Sequence, residues 1–522
     1  MKRRNAIKTT GAAVGLASLG SPAIASGKSA KSKLRVAASR FETHFETGAP
    51  TFGYSGETVK NAAGPLKTTV LLIEDGSKRL CLVSSDIRVE ILNLNRFLRA
   101  EAAKVLGFDP SEVLFFTTHN HSVSPLAEVE VKSFVWYEES LDELPEVKLL
   151  PVGKRFLTSL QQHLSMLSDK LEPVTVAWAQ GSEGRITYNR KGWRADGSTY
   201  FMREEDRELM GADFSGDIEK EVPVVVFQNE REKPVAALLQ FTGHPVTSFH
   251  PEDLTIFGDY PSVAADVLGE SLGEGGEPVP VAFLQGCGGD SSSKEMFVGG
   301  VSRAQEFGEM LGQSAIDALE DLKPSRLTGM DYVEQTVGIP LAPLPAKEIV
   351  LDEIEEMKDF IRRANAGDED TLSCVGQNFP TALTPNYRGA LVIMLLRWNE
   401  WALSMYAQGK EDEVMQSLDV PLYVLRLGDV AVAGMPFEPF LGIGRQIRTQ
   451  SPFPLTIPCG YVNETHGYVT DSANTGDREY MSSFYRYTKF RPPFAKPAGD
   501  VVADRAAATL RGFWEERQRQ AV

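Results

Sequence analysis

Cysteine is scarce in this chain of 522 residues: Cys81, Cys287, Cys374 and Cys459 stand far apart and form no CxxC pair. That spacing excludes a local thiolate zinc site and argues against a disulfide framework. Basic charge is in deficit, with 54 Lys plus Arg against 71 Asp plus Glu and a formal net charge of -17. A polyanion binder needs the opposite sign, so no nucleic-acid partner is expected. Long apolar runs are missing too. The longest, residues 390–396, stops at Arg397, far short of the ~20 residues of a membrane span. No Gly-x-Ser-x-Gly nucleophile elbow occurs, because Gly53-Tyr54-Ser55-Gly56 is too short, which argues against a serine hydrolase. A two-metal phosphoesterase wants an early Asp-x-His at its first strand end. Ser85-Asp86-Ile87-Arg88 has none, and an Asn-His-Glu-type segment is also absent.

What remains is the composition of an ordinary folded protein, 42% hydrophobic and 24% charged, which excludes a collagen, a coiled coil or a disordered tail. At roughly 150 residues per domain the length allows about two to four domains or one large enzyme domain. The start, Met1-Lys2-Arg3-Arg4-Asn5-Ala6-Ile7-Lys8, runs into a mildly apolar Gly- and Ala-rich stretch ending at Ala23-Ile24-Ala25. A basic head, a short apolar centre and a small-residue end describe a cleaved export signal over residues 1–25. The Arg3-Arg4 pair makes it twin-arginine-like, so export to a periplasm or medium is expected.

From Lys33 onward strand and helix patterns alternate. Residues 68–73 and 79–84 are β-rich runs joined by Glu74-Asp75-Gly76-Ser77, a hairpin signal. Ile91, Leu94, Leu98 and Val105 keep helical spacing, with Gly107 placed as a C-cap. Further strands are expected at 113–118, 174–178, 222–227, 235–241, 279–284 and 430–436. Helices are expected at 154–167, 303–319 and 346–363. The charged stretch 346–413 reads as a helical insertion over a cleft or as a solvated face. No repeat or Gly/Ser linker divides residues 26–522. The expected fold is therefore α/β: one large mixed-sheet domain with flanking helices and a site at strand C-terminal ends.

The seven histidines carry most of the chemical signal. His119 and His121 follow the 113–118 strand in Thr118-His119-Asn120-His121-Ser122. Two positions apart, they can point the same way and offer two imidazoles to one metal or one substrate. His244 ends another strand in Thr242-Gly243-His244-Pro245, where Gly lets the backbone turn and Pro stops the strand. A third strand ends in Gln285-Gly286-Cys287-Gly288-Gly289-Asp290. Apolar strands that run into Gly, His and Asp at their C-terminal ends point to a shared cleft. Glu438 follows the 430–436 strand at the start of a helix, as a charge complementing the helix dipole or as a metal ligand. Tyr468 and Tyr480 lie in a loop-rich segment, where tyrosine most often packs.

Taken in order, these segments resemble the neutral (alkaline, non-lysosomal) ceramidase family. The resemblance runs through Gly53-Tyr54, Gly64-Pro65-Leu66, Val83-Ser84-Ser85-Asp86 and Thr118-His119-Asn120-His121-Ser122. It continues through Tyr188-Asn189-Arg190, His244-Pro245, Gly258-Asp259-Tyr260-Pro261 and Gln285 through Asp290. Met435-Pro436-Phe437-Glu438-Pro439-Phe440 and Gly467-Tyr468-Val469 complete it. It implies an amide hydrolase of N-acyl sphingosine with one zinc ion held by His119, His244, Glu438 and Tyr468. His121 is then the acid/base, and Arg190 with Tyr480 stabilises the oxyanion. Asp259 and Asp290 become candidates to orient a ligand imidazole, or else turn and helix-cap residues, and Ser292 falls near a family serine within Ser291-Ser292-Ser293.

Two departures accompany the resemblance. Ser122-Val123-Ser124-Pro125 replaces the family's Ser-Gly-Pro, and the chain reaches Val522 soon after Tyr480, so the family's C-terminal immunoglobulin-like domain is not expected. The expected partner is a small-molecule or lipid substrate. The alternatives are the same zinc site acting on a smaller N- or O-acyl group, such as an acetylated sugar, and a non-catalytic secreted lipid- or glycan-binding protein. Nothing in the sequence sets the oligomeric state.

Overall fold

The computed structural model describes residues 34–51, 58–128, 146–476, 484–487 and 490–521. The expected export signal, the Gly53-Tyr54 turn and Tyr480 lie outside the described residues.

The fold starts from strands that are apolar on both faces. In β2 (Leu66–Asp75) and β3 (Lys78–Ser85), Val70, Leu72, Cys81 and Val83 face one side while Leu71, Ile73, Leu80 and Leu82 face the other. A sheet of such strands must be covered on both sides. The expected hairpin joins them through Gly76-Ser77, and Gly76 takes a φ of 64° that a two-residue turn requires. These strands sit in a nine-stranded mixed sheet with β1 (Leu34–Thr43), β4 (Val113–Thr117), β5 (Glu172–Ser182), β6 (Glu221–Asn229), β7 (Pro234–Phe241), β8 (Val281–Gln285) and the short β9 (Lys323–Pro324). Its order is β8-β7-β6-β5-β1-β2-β3-β4, with β9 beside β5. Only the outermost pairs, β3/β4 and β7/β8, are parallel.

One face of this sheet is covered by helices. Leu94 and Leu98 of α1 (Leu92–Leu106) and Phe156 and Leu160 of α2 (Pro151–Lys170) pack on β2–β4. Tyr260 and Ala264 of α3 (Asp259–Leu272) and Phe307 and Leu311 of α4 (Gly300–Ala318) pack on β6–β8. Gly107 closes α1 at a φ of 66°, as the sequence pattern requires.

The opposite face meets a second, four-stranded sheet of β10 (Met330–Pro340), β11 (Ser417–Leu427), β12 (Val430–Gly434) and β13 (Leu455–Cys459). Leu71, Leu82, Phe116, Val225 and Leu238 interleave there with Tyr423, Leu425, Val430, Val432 and Ile457. The far side of the second sheet is closed by α7 (Leu441–Gln450) and α8 (Asp500–Ala521) through Ile443, Ile447, Ala503 and Leu510. The result is the expected α/β domain with a large mixed sheet and flanking helices, built as four layers, helix–sheet–sheet–helix. Within the 346–413 stretch, α5 (Lys347–Asn365) and α6 (Pro385–Gln408) pack as an antiparallel pair around Met357, Phe360, Val392 and Leu395. Among the described residues no helix is long and apolar enough to cross a membrane.

Candidate metal centre

Each parallel strand pair delivers one wall of the site. Beyond β4 the chain passes Thr118, whose N–H donates to the Ser85 carbonyl, and turns at His119 with a φ of 59°. A non-glycine residue in that left-handed region is uncommon, and here it swings the imidazole inward. Beyond β7, the His244 N–H donates to the Ser291 carbonyl and the Ser293 N–H donates to the His244 carbonyl. Ser291–Ser293 pairs in turn with Thr187–Asn189, which leads directly to Arg190. His244 and Arg190 are thus placed by one interlocked set of short strands.

The second sheet brings the acid and the phenol. Where the sequence put Glu438 at a helix start, α7 begins only at Leu441, and Glu438 lies in a two-residue strand, Glu438–Pro439, parallel to Tyr468–Val469. Glu438 and Tyr468 are register partners. The helix N–H of Leu441 is met instead by Asp290 Oδ1 at 2.8 Å. The two sheets are stitched at this end: the Thr117 N–H donates to the Tyr461 carbonyl, and Asn463 exchanges bonds with both backbone groups of Phe115.

The side chains converge. Glu438 Oε2 is 2.8 Å from His244 Nε2 and 3.3 Å from His119 Nε2. The Tyr468 hydroxyl lies 3.2 Å from His244 Nε2, and its ring stacks on the His244 imidazole at 6.0 Å. His119, His121 and His244 hold potential ligand nitrogens within 4.8 Å of one another. Arg190 Nη2 donates to the Tyr468 hydroxyl at 2.8 Å and to the Gly289 carbonyl at 2.7 Å, and stands 3.4 Å from the His244 nitrogens.

Electrostatics follow from burial. Burial, then the Arg190 charge, pushes His244 down to about 4. Burial, then its neighbours His119, Arg88 and His244, holds His121 well below the ordinary histidine value, so it is neutral near pH 7. Burial acts the same way on His119 and is the largest single influence, but the Glu438 charge together with the hydrogen bonds to Glu438 and Glu90 raises the group. Burial disfavours ionised Glu438, yet the His119 charge and the two imidazole bonds carry it well below the usual carboxylate range.

Three imidazoles, a carboxylate and a phenol form a nitrogen and oxygen donor set suited to a transition metal or zinc. His121 Nε2, beside these donors, is buried without a hydrogen-bond partner among the described residues, a cost that a water or substrate group bound at the centre would remove. The residues present therefore fit a metal ion.

Asp259 and Asp290 do not orient an imidazole. Asp259 accepts from Ser248 N, Ser248 Oγ and Tyr260 N, and Asp290 caps α7, the turn and cap roles that short acidic side chains favour. The imidazoles are backed instead by Glu90 Oε1, 3.2 Å from His119 Nδ1, and by the Gly288 carbonyl, 2.8 Å from His244 Nδ1. Ser292 is buried, with its backbone bridged to His244 and its hydroxyl without a partner among the described residues. Glu90 and Tyr461 escape sequence reasoning. The Tyr461 ring lies 4.4 Å from the His119 ring, but its only advance signal is a Gly-Tyr pair after a strand. Beside His121 the half-buried Phe249 ring lies 5.3 Å from that imidazole and 5.6 Å from the Phe297 ring. Both pack on an apolar cluster of Phe201, Val246, Met296, Phe440 and Tyr468.

In sequence, no family model and no curated protein matches the chain. In structure, it is similar to a ceramidase described as complexed with C2, with a TM-score of 0.61 at 15% identity over 92% of this chain and 76% of that one. It is also similar to the neutral ceramidase from Pseudomonas aeruginosa, with a TM-score of 0.57 at 15% identity over 94% of this chain and 75% of that one. At that identity the likeness establishes a shared fold.

Proposed function

We propose that the protein is an exported zinc-dependent hydrolase that cleaves the amide bond of an N-acylated, ceramide-like lipid. The observation that carries this reading is the convergence of His119, His121 and His244 within 4.8 Å, with Glu438 between two of them, in a fold shared with ceramidases. His119, His244, Glu438 and Tyr468 would hold the ion. Bound there, zinc supplies Lewis-acid chemistry, polarising a carbonyl and acidifying water.

The chain's own residues do the rest. His121, neutral near pH 7, takes a proton at its unpartnered Nε2 and returns it to the leaving amine. Arg190 keeps a permanent positive charge beside Tyr468 and His244, where charge grows on the acyl oxygen. Tyr480 is assigned to the same oxygen by the family resemblance alone. The half-buried Phe249 and Phe297 put apolar surface beside His121, and this supports a lipid over a sugar ester.

The test is a panel of N-acyl substrates of graded chain length on zinc-loaded protein. Rising kcat/KM with chain length supports the reading. Preference for acetyl groups assigns the site to a smaller N- or O-acyl substrate, and binding without turnover assigns the chain to a lipid- or glycan-binding role.

A further inference from the structure

Glu90 belongs to no recognised motif, yet it is almost fully buried, at 1% exposed, directly behind the His119 ring. Its Oε1 accepts from Arg88 Nε at 2.8 Å and faces His119 Nδ1 at 3.2 Å, while Oε2 is buried without a hydrogen-bond partner among the described residues. The Glu90 carbonyl is held by the Thr465 N–H, from the loop between Tyr461 and Tyr468. A buried carboxylate is costly unless paired, so its place behind an imidazole needs a reason. His119 supplies one: its backbone is in the left-handed region, and while Glu438 and the Tyr461 ring also touch the imidazole, Glu90 is the side chain that meets its Nδ1.

We infer that Glu90, braced by Arg88, is a positioning residue that holds His119 with Nδ1–H toward Glu90 and Nε2 toward the cation, and so sets the affinity of the centre for its metal. This rests on the zinc reading above. The arrangement is asymmetric. His244 has the same Nδ1-backed orientation, but its acceptor is the neutral Gly288 carbonyl. A carboxylate behind an imidazole raises the ligand's basicity more than a carbonyl does, and loss of such a partner typically weakens metal binding about 10- to 100-fold. His119 is thereby the ligand through which a change outside the centre acts most strongly.

The experiment uses apo-protein prepared by chelation, titrated with zinc against a chromophoric chelator, for the parent, Glu90→Gln and Arg88→Gln. Glu90→Gln keeps the side-chain shape and an oxygen acceptor but removes the charge, and thermal melting of each apo-protein checks that it is folded. The expected result is a zinc Kd about 10- to 100-fold higher for Glu90→Gln, with a smaller rise for Arg88→Gln. The cobalt-substituted variant should also show shifted ligand-field bands. A parent that binds zinc tightly alongside a Glu90→Gln protein of equal affinity and unchanged cobalt spectrum overturns the role of Glu90 alone. A folded parent that does not bind zinc overturns the metal reading and this inference with it.

Discussion

Arg190 offers the sharpest separation of binding from chemistry. Its guanidinium is buried, permanently charged and fixed by the Gly289 carbonyl and the Tyr468 hydroxyl. An acyl oxygen seated beside Tyr468 and His244 would lie roughly 4 Å from it. At an effective dielectric near 20, a full charge there is stabilised by about 4 kcal/mol. That agrees with the roughly 2.7–4 kcal/mol lost when one oxyanion donor is removed, and corresponds to a fall of about 100- to 1000-fold in kcat. Arg190→Met should show this loss with near-normal zinc content and a modest stability cost, about 1–3 kcal/mol, from the undonated Gly289 carbonyl. Arg190→Lys keeps the charge without the fork and should recover part of the rate. Single-turnover hydrolysis and metal analysis on the same preparations decide it. An Arg190→Met protein with parental kcat would refute the electrostatic role, and one whose activity falls only in step with lost zinc would make Arg190 a support for the metal ligands.

Other expectations concern the scaffold. Gly289→Ala would place a Cβ 2.5 Å from the Glu438 carbonyl oxygen and 3.0 Å from that of Pro439, so the strand bearing Glu438 must shift. Zinc affinity should drop by roughly 10-fold or more in chelator competition, as for other changes just outside a metal's ligands, and parental affinity would show that this contact does not place the carboxylate. Asp331 is buried among Arg426, Arg517 and Lys78, with Arg426 Nε at 2.6 Å and Arg517 Nη2 at 2.7 Å. Asp331→Asn strands buried Arg426 and should cost about 3–5 kcal/mol in denaturant unfolding. Burial works against its ionisation, but the three cations hold the carboxyl far below its usual range. Its stabilising contribution is therefore whole above the unfolded pKa near ~3.9 and drains away as pH falls below it. The variant should show a weaker loss of stability with acid, and parallel acid limbs would rule this coupling out.

Strands β2 to β8 of the first sheet were legible because their residues carry apolar runs bounded by turn residues, whereas β1, interrupted by Arg35, Ser39 and Arg40, and the two-residue β9 were not foreseen. The strands of the second sheet were less legible. β10 is an edge strand that alternates buried and exposed residues through Glu334 and Gln335, and β11 contains Pro421, which ordinarily argues against a central strand. The register explains that proline: β12 pairs only with residues 423–427, so Pro421 has a strand neighbour on the β10 side alone. Of the site, the histidines were legible because each ends a strand beside glycine, proline or a second histidine. Glu438 was ambiguous in the sequence between cap and ligand. The answer depends on the Tyr468 segment, which converts a helix start into a two-residue ladder and leaves the cap to Asp290, remote in the chain. Glu90 could not be foreseen: its pairing with Arg88 is local, but its place behind the His119 ring comes from the crossing of the loop before α1.

The most direct test of the zinc centre is metal analysis with a hydrolysis assay on the parent and His119→Ala, before and after exhaustive chelation. The account expects about one zinc per chain in the parent, with metal and activity lost together in the variant and on chelation, and both restored to the parent by added zinc. Undiminished amide hydrolysis by metal-free protein would contradict it.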